Sequence, residues 1–225
     1  MSETARFDDH IDQVVTKVRR KVGWILRTFY SRRTDIVKGL WKGLVQCHID
    51  YCSQFYMPGQ SKDMQSIEKL FYDFTSKIPE LRGENYWKRL QSLKMLSQER
   101  RMERYRILYV WKILEGFAPN CGVELAAENL RLGRRCKVPN LAQNGRQSIQ
   151  TLWEQSFQIN GIRLFNRLPK HLRNMTRNLD DFKAELDHFI SQIPDQPRIG
   201  SLVPEAVCRI TARQSNSLLA WIQET

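Results

Sequence analysis

Two amphipathic helical patterns and the polar joint between them occupy residues 11–42, IDQVVTKVRRKVGWILRTFYSRRTDIVKGLWK. In the first pattern, apolar residues at helical spacing form one stripe: Ile11, Val14, Val15, Val18, Val22, Ile25, Leu26 and Phe29. This spacing predicts an amphipathic helix that buries the stripe. After the joint from Ser31 to Thr34, a second helix is predicted from about Asp35 to Phe55. We expect Thr34 to be its N-cap and Pro58-Gly59 to end it.

The same patterns predict helices over most of the remaining chain. Their expected ranges are 62–78 with Ser61 as cap, 87–93, from after Ser97 to near Gly116, 165–168, 180–190 and 211–222. Glycines and asparagines interrupt the stretch from Pro119 to about residue 147, where we expect loops and a minor β-hairpin. Its strands are expected at 136–138 and 149–153, and residues 191–210 are expected to be an extended linker. The predicted fold class is mainly α.

Composition indicates a globular protein with anionic partners. The 225 residues are 41% hydrophobic, include six Trp and carry a net charge of +12. A basic balance of this size favours nucleic acid or an acidic membrane surface as partner. The N-terminus is polar and no apolar run approaches the roughly 18 residues of a membrane span. We therefore expect an intracellular protein, cytoplasmic or nuclear, that is not secreted, has no integral membrane association and keeps its five widely spaced cysteines reduced.

A series of short motifs follows one another along nearly the whole chain. They are FDDHID (7–12), WILRTFYSR (24–32), LVQCHIDYCSQFYMP (44–58), IEKLFYDFTSKI (67–78), ENYWKRL (84–90), QERRMERYRILYVWKILEG (98–116), INGIRLFNRLPKHLRN (159–174), FKAELDHFI (182–190) and NSLLAWI (216–222). In this order the set resembles the region downstream of the palm in the reverse transcriptase, an RNA-directed DNA polymerase, of jockey-like, LINE-type non-LTR retrotransposons.

The resemblance implies a thumb-like helical bundle over residues 1–117 and a loop-rich α region over residues 118–225. It also implies two partners: an RNA or DNA backbone in a duplex or hybrid, and the palm domain of a full-length polymerase in the parent element. In the family the motif at Phe7 to Ile11 directly follows the last palm strands. We therefore expect Met1 to be an internal methionine of a longer reading frame, and the chain to be a truncated or decayed copy or a gene-model fragment.

The densest basic segment lies between Thr16 and Lys42 and contains a single acid, Asp35. Its cations are Lys17, Arg19, Arg20, Lys21, Arg27, Arg32, Arg33, Lys38 and Lys42. Two helices joined by an Arg-Arg turn would align much of this charge as a ridge, which suits the regularly spaced phosphates of a duplex. The alternative is a basic but merely solvated helix surface. The resemblance favours nucleic-acid contact here, because the thumb of the family would meet the template–primer backbone at this position.

Three smaller basic groups occur further along the chain. Arg134, Arg135 and Lys137, with Arg131, lie in a Gly-rich loop and are also predicted to bind nucleic acid. A second group, at 100–106, alternates with Glu99 and Glu103 and predicts surface ion pairs. For the third, Arg163, Arg167, Lys170 and Arg173, a contact with phosphate and a solvated surface both remain open.

Exposed aromatics could stack on bases. The spacing and the apolar neighbours of Tyr51, Tyr56, Tyr86, Trp87 and Trp111 predict core packing instead. Trp24 and Tyr30 lie beside the ridge and are the better candidates for stacking or minor-groove insertion.

No catalytic or metal-binding constellation is recognisable in the sequence. Two-metal phosphoryl transfer needs clustered aspartates, and the Ala-Asp-Asp hairpin of reverse transcriptases does not occur. Asp8-Asp9 and Asp180-Asp181 are expected to lie at helix starts. Cys47-His48-x₃-Cys52 has metal-binding residue types, but its side chains diverge on a helix. We expect no metal, no cofactor and no catalysis by this chain alone.

Three functions remain to be weighed. The first is a catalytically empty polymerase fragment that binds duplex nucleic acid with little sequence preference. The second is a helical module that docks on a protein or on an acidic membrane surface. The third is an active polymerase, which would require a palm encoded upstream of Met1.

Overall fold

A computed structural model describes residues 7–56, 58, 61–126, 133–140, 147–196 and 216–222. These residues are mainly helical, as expected, and the only β pairing among them is an isolated bridge between Leu125 and Cys136. They form two compact units. The first contains the described residues up to Arg101 together with Gln196 and Asn216; the second contains 102–195 and 217–222. The boundary falls inside a helix at Arg101 and Met102, whereas the sequence placed it at residue 117.

The first unit begins with the predicted amphipathic helix, α1 (Asp8–Thr28). Six of the eight stripe residues are buried, from Ile11 to Ile25, while Leu26 and Phe29 are half-buried. Asp8 and Asp9 lie in the first turn, as expected. α1 packs against α5 (Ser61–Thr75) and against the segment that follows α2 (Thr34–Leu40).

The second predicted helix is interrupted. After α2 come a π-helical turn (Trp41–Val45), α3 (Gln46–Asp50) and α4 (Ser53–Tyr56). The break lies at Cys52, whose φ of +56° is left-handed. The Tyr56 hydroxyl lies after the break and donates a hydrogen bond to the carbonyl of Ile49, near the end of α3. A single helix from Asp35 to Phe55 was therefore wrong.

The expected cap of that helix was also wrong. Arg33 occupies the N-cap position of α2 and makes no side-chain capping bond. The Thr34 hydroxyl instead donates to the carboxylate of Glu80. A partner 46 residues away, on a neighbouring 3₁₀ turn (Pro79–Leu81), thus replaces the local cap.

The core of the first unit contains an aromatic cluster and a polar network. Trp41 stacks on Phe71 with ring centroids 4.6 Å apart and lies 5.0 Å from Phe74. The buried carboxylate of Glu68 accepts from the backbone N–H of Gln98 at 2.9 Å, which satisfies a donor at the start of α7 (Gln98–Leu114). Between them in sequence lies α6 (Tyr86–Leu93), which Asn85 caps through Lys88 N–H at 2.9 Å.

The second unit is organised around Trp111 of α7. Its ring stacks between Phe182 and Phe117, at 4.9 and 5.9 Å, and its Nε1 donates to the carbonyl of Met175 at 2.8 Å. The surrounding helices are α8 (Gln147–Gln155), a π-helical turn (Phe157–Gly161), α9 (Ile162–Arg167), α10 (Lys170–Arg173), α11 (Leu179–Ser191) and α12 (Leu218–Trp221). Asn178 caps α11 through the N–H groups of Asp180 and Asp181, so that acidic pair begins a helix as expected.

The expected hairpin strands are only partly right. Cys136 pairs with Leu125 through Lys137 N–H to Glu124 and Ala126 N–H to Arg135, both at 2.8 Å. Residues 149–153 are not a strand, because they lie within α8. Their apolar residues Ile149, Leu152 and Trp153 follow helical rather than alternating spacing. Most of the expected linker and the start of the expected last helix, 197–215, lie outside the described residues.

Candidate nucleic-acid interface

The outer face of α1 carries four of the nine cations predicted between Thr16 and Lys42. At 3.6 residues per turn, Lys17, Arg20, Lys21, Trp24 and Arg27 share an arc of about 120° beside the buried stripe. Lys21 is half-exposed and the other four side chains are exposed. Arg19 is also exposed but lies on the opposite flank of the stripe. The helix therefore presents one cationic face with a tryptophan in its middle.

Six of these nine cations have no competing partner among the described residues. We call them the ridge cations: Lys17, Arg19, Arg20, Lys21, Arg27 and Lys42. Within the described part of the chain their side chains make no hydrogen bond or ion pair. Cations without an intramolecular partner can neutralise an external anion without first breaking a protein contact.

The other three predicted cations are engaged within the fold. Arg32 donates to the carbonyls of Leu26, at 2.6 Å, and Phe29, and so binds the open C-terminal end of α1. Lys38 donates to the carbonyl of Leu93 at the end of α6. Arg33 pairs with Asp35 at 3.1 Å, and both of these side chains are exposed. Arg32 and Lys38 are therefore used to bind carbonyls at the C-terminal ends of α1 and α6.

Burial and, to a smaller extent, neighbouring cations lower the pKa of two groups close to the ridge. Burial lowers the pKa of Lys38 below its usual value, and Lys42 and Lys94 lower it further. Burial likewise lowers the pKa of His48, with Lys21 and Lys17 contributing. The Nε2 atom of His48 is buried and has no hydrogen-bond partner among the described residues. His48 on α3 thus lies close to the α1 face as a neutral imidazole.

The second predicted group, Arg134, Arg135 and Lys137, lies in the other unit. Its side chains are more strongly engaged in bonds within the fold. Arg134 pairs with Glu115 at 2.5 Å and donates to the carbonyl of Leu114 at 3.1 Å, at the end of α7. Arg135 is half-buried and Lys137 is exposed. Of the three, Lys137 is the most accessible to phosphate.

The surface ion pairs expected at 100–106 were wrong for half of the group. Arg100 and Arg106 are fully buried, and Glu99 and Glu103 are buried as well. Arg100 donates to the side chain of Asn216 at 3.1 Å, and Arg106 to the carbonyl of Gln155 at 3.2 Å. Burial lowers the pKa of Arg106 to about 10, against the opposing charge of Glu103. Their partners are remote in sequence, so local spacing carried no signal for this burial.

In the third group, whose role was left open, Arg167 and Arg173 bind backbone carbonyls. Arg167 donates to Leu219 and Ile222, and Arg173 donates to Leu168 at 2.8 Å. Burial, reinforced by Arg135, lowers the pKa of Arg173. Arg163 is exposed on α9.

The aromatic residues separate largely as predicted. Tyr56, Tyr86 and Trp111 are buried and Trp87 is half-buried. Tyr51 is 74% exposed, so the prediction of core packing was wrong for it. The helix break after Asp50 turns Tyr51 away from the stripe that a continuous helix would have buried. Trp24 and Tyr30 are 50% and 90% exposed.

Other chemistry finds little support among the described residues. They contain no group of three or more His, Cys, Asp or Glu side chains that could hold a metal ion, and Cys47 and Cys52 are both exposed. They also contain no helix that is long and apolar enough to cross a bilayer. Comparison with known proteins found no match to a family model, to a curated protein or to a solved structure. The α1 face offers fixed positive charge and an aromatic ring to a polyanion.

Proposed function

We propose that the chain is a fragment of a LINE-type reverse transcriptase without its palm, and that it binds the backbone of a template–primer-like duplex through the ridge cations. The observation that carries this proposal is the α1 face, where several cations lie side by side and have no partner among the described residues. Duplex phosphates would neutralise these cations and release counterions. In the parent element the same unit would work beside a palm domain.

The test is the salt dependence of duplex binding by the full chain. Each neutralised phosphate contributes a slope of about −0.9 to the logarithm of affinity against the logarithm of salt concentration. Engagement of the six ridge cations predicts a slope of about −5. Changing the duplex sequence should alter the affinity little, because phosphate contacts carry no base information.

A matched pair of variants assigns the binding to α1. The quadruple variant K17Q/R20Q/K21Q/R27Q should make the slope less steep, bringing it closer to zero by about 3 to 4. The control K69Q/K77Q/R82Q/K88Q removes the same charge from exposed positions outside α1. Equal losses in both variants would mean that net charge alone attracts DNA, and a flat salt response of the parent chain would exclude the proposed function.

The alternative function is a helical surface that docks on a protein or an acidic membrane without a nucleic-acid role. One observation favours it: the half-exposed Trp24 lies among arginines and lysines on an amphipathic helix, a combination also found in helices that bind membrane surfaces. Under this alternative, phosphatidylserine vesicles would bind the same cations of α1 that a duplex would bind. Strong vesicle binding together with no duplex binding would favour this alternative.

A further inference from the structure

Trp24 is the centre of the cationic arc on α1. Lys17 and Lys21 lie on one side of it around the helix, and Arg20 and Arg27 lie on the other. Half of its surface is exposed. Trp24 therefore adds a large planar, apolar surface to the face that carries Lys17, Arg20, Lys21 and Arg27.

The turn after α1 holds this aromatic surface in place. Phe29 leaves the helix in an extended conformation, with φ −103° and ψ 113°, and its ring lies 6.0 Å from the Trp24 ring at an interplanar angle of 88°. The Arg32 guanidinium fixes the turn through its bonds to Leu26 and Phe29. Tyr30, next in sequence, is 90% exposed. A second planar side chain thus projects into solvent close to the first in sequence.

We propose that Trp24 stacks on an unpaired base, so that the ligand of the α1 face is a duplex with a single-stranded extension rather than a fully paired duplex. This inference rests on the proposed function. In a closed duplex the faces of the bases are covered by their neighbours, and only phosphates and groove edges remain accessible to a helix. An unpaired base exposes its face, and stacking on an aromatic side chain is sequence-tolerant because every base has one. The lysines on one side of Trp24 and the arginines on the other bind the phosphates on either side of that base.

The experiment compares two ligands with the full chain at one salt concentration. One is a blunt duplex, and the other is the same duplex with a short single-stranded overhang at either end. We expect the overhang ligand to bind more tightly. Trp24→Ala should remove this preference, weakening overhang binding by about 5- to 100-fold while blunt-duplex binding changes by less than about twofold.

Two further variants serve as controls. Trp24→Phe keeps an aromatic face and should retain most of the preference, which separates stacking from a folding defect. Tyr51→Ala removes an even more exposed aromatic side chain, from the helix break after α3, and should leave the preference intact.

Each remaining outcome decides against the inference in a distinguishable way. Equal binding of both ligands by the parent chain, unchanged in Trp24→Ala, overturns the stacking role and leaves the proposed function standing. Binding of neither ligand overturns both. If Trp24→Ala loses binding to phosphatidylserine vesicles and the parent chain shows no overhang preference, the indole is a membrane contact instead.

Discussion

Arg100 and Arg104 lie one turn apart on α7 but differ in how far they and their partners are buried. Arg100 is fully buried and donates to both the carbonyl and the side chain of Asn216. Arg104 pairs with Asp187 at 2.7 Å, where about half of the Asp187 side chain is exposed. Burial, rather than charge, therefore separates the two arginines.

The first prediction compares their removal. Arg100→Ala leaves buried acceptors without a donor and should lower the free energy of unfolding by about 3 kcal/mol. Arg104→Ala breaks a pair whose carboxylate is about half exposed, so Asp187 can be hydrated instead, and the change should cost less, about 1 kcal/mol. Urea unfolding of the two variants measures the difference, and equal losses would contradict the burial of Arg100.

The second prediction concerns His48 and pH. Because burial, Lys21 and Lys17 lower its pKa in the folded chain, the unfolded chain takes up a proton first as pH falls. The free energy of unfolding should therefore decrease as pH drops below about 6.5, the ordinary value for histidine. His48→Gln should reduce the loss between pH 7.5 and 5.5, a range above the titration of ordinary carboxylates. An identical pH dependence in both proteins would contradict it.

At the scale of elements, α6 ends in a conformation that its sequence disfavours. Its C-cap is Lys94, with φ +51° and ψ +52°, a left-handed position where helices usually place glycine. The lysine also lies close enough to Lys38 to lower the pKa of that amine. Both effects cost stability in the folded state.

The third prediction is that Lys94→Gly stabilises the chain by about 0.5 to 1 kcal/mol, through relief of the left-handed strain. Lys88→Gly, at an exposed position inside the same helix, should instead destabilise by about 1 kcal/mol. Lys94→Gln removes the charge without the backbone relief and so separates the two effects. Thermal unfolding gives the sign of each change, and a loss of stability in Lys94→Gly would contradict the left-handed cap.

Among the elements, the sequence predicted those whose buried face repeats without interruption. α1, α6 and α11 lie close to their expected positions because one amphipathic stripe, with caps such as Asn178, specifies each. The helix expected from Asp35 to Phe55 failed because its path depends on remote partners. Gln46 accepts from Trp41 at 2.5 Å and also donates to Gln98 at 3.0 Å, 52 residues away. No local pattern encodes that bond.

At the scale of the whole molecule, residues 217–222 complete the core of the second unit. Leu218 is fully buried, its N–H donates to Glu103 at 2.7 Å, and α12 packs against α9. Arg167 of α9 donates to the carbonyl of Ile222 at 3.0 Å. Residues 217–222 are therefore part of this core.

The fourth prediction concerns the packing of Leu218 in this core. Leu218→Ala should cost about 2 to 5 kcal/mol, the range for a buried leucine, and should speed hydrogen exchange in α9. Leu219→Ala, at a half-buried neighbouring position, should cost clearly less. Unchanged exchange in α9 would show that α12 contributes little to the second unit.

By itself the sequence determined the helical class, the buried stripe of α1 and the concentration of positive charge beside it. These depend on periodicity and composition, which local residues specify completely. Only the tertiary structure decided which charges remain available. In the fold, Arg32, Lys38 and Arg134 bind carbonyls at helix ends, and Arg100 and Arg106 are buried. The ridge cations and Trp24 remain on the surface. Hydrogen-bond partners lie wherever the fold brings them, often tens of residues away, so spacing along the chain could not show which cations they would engage.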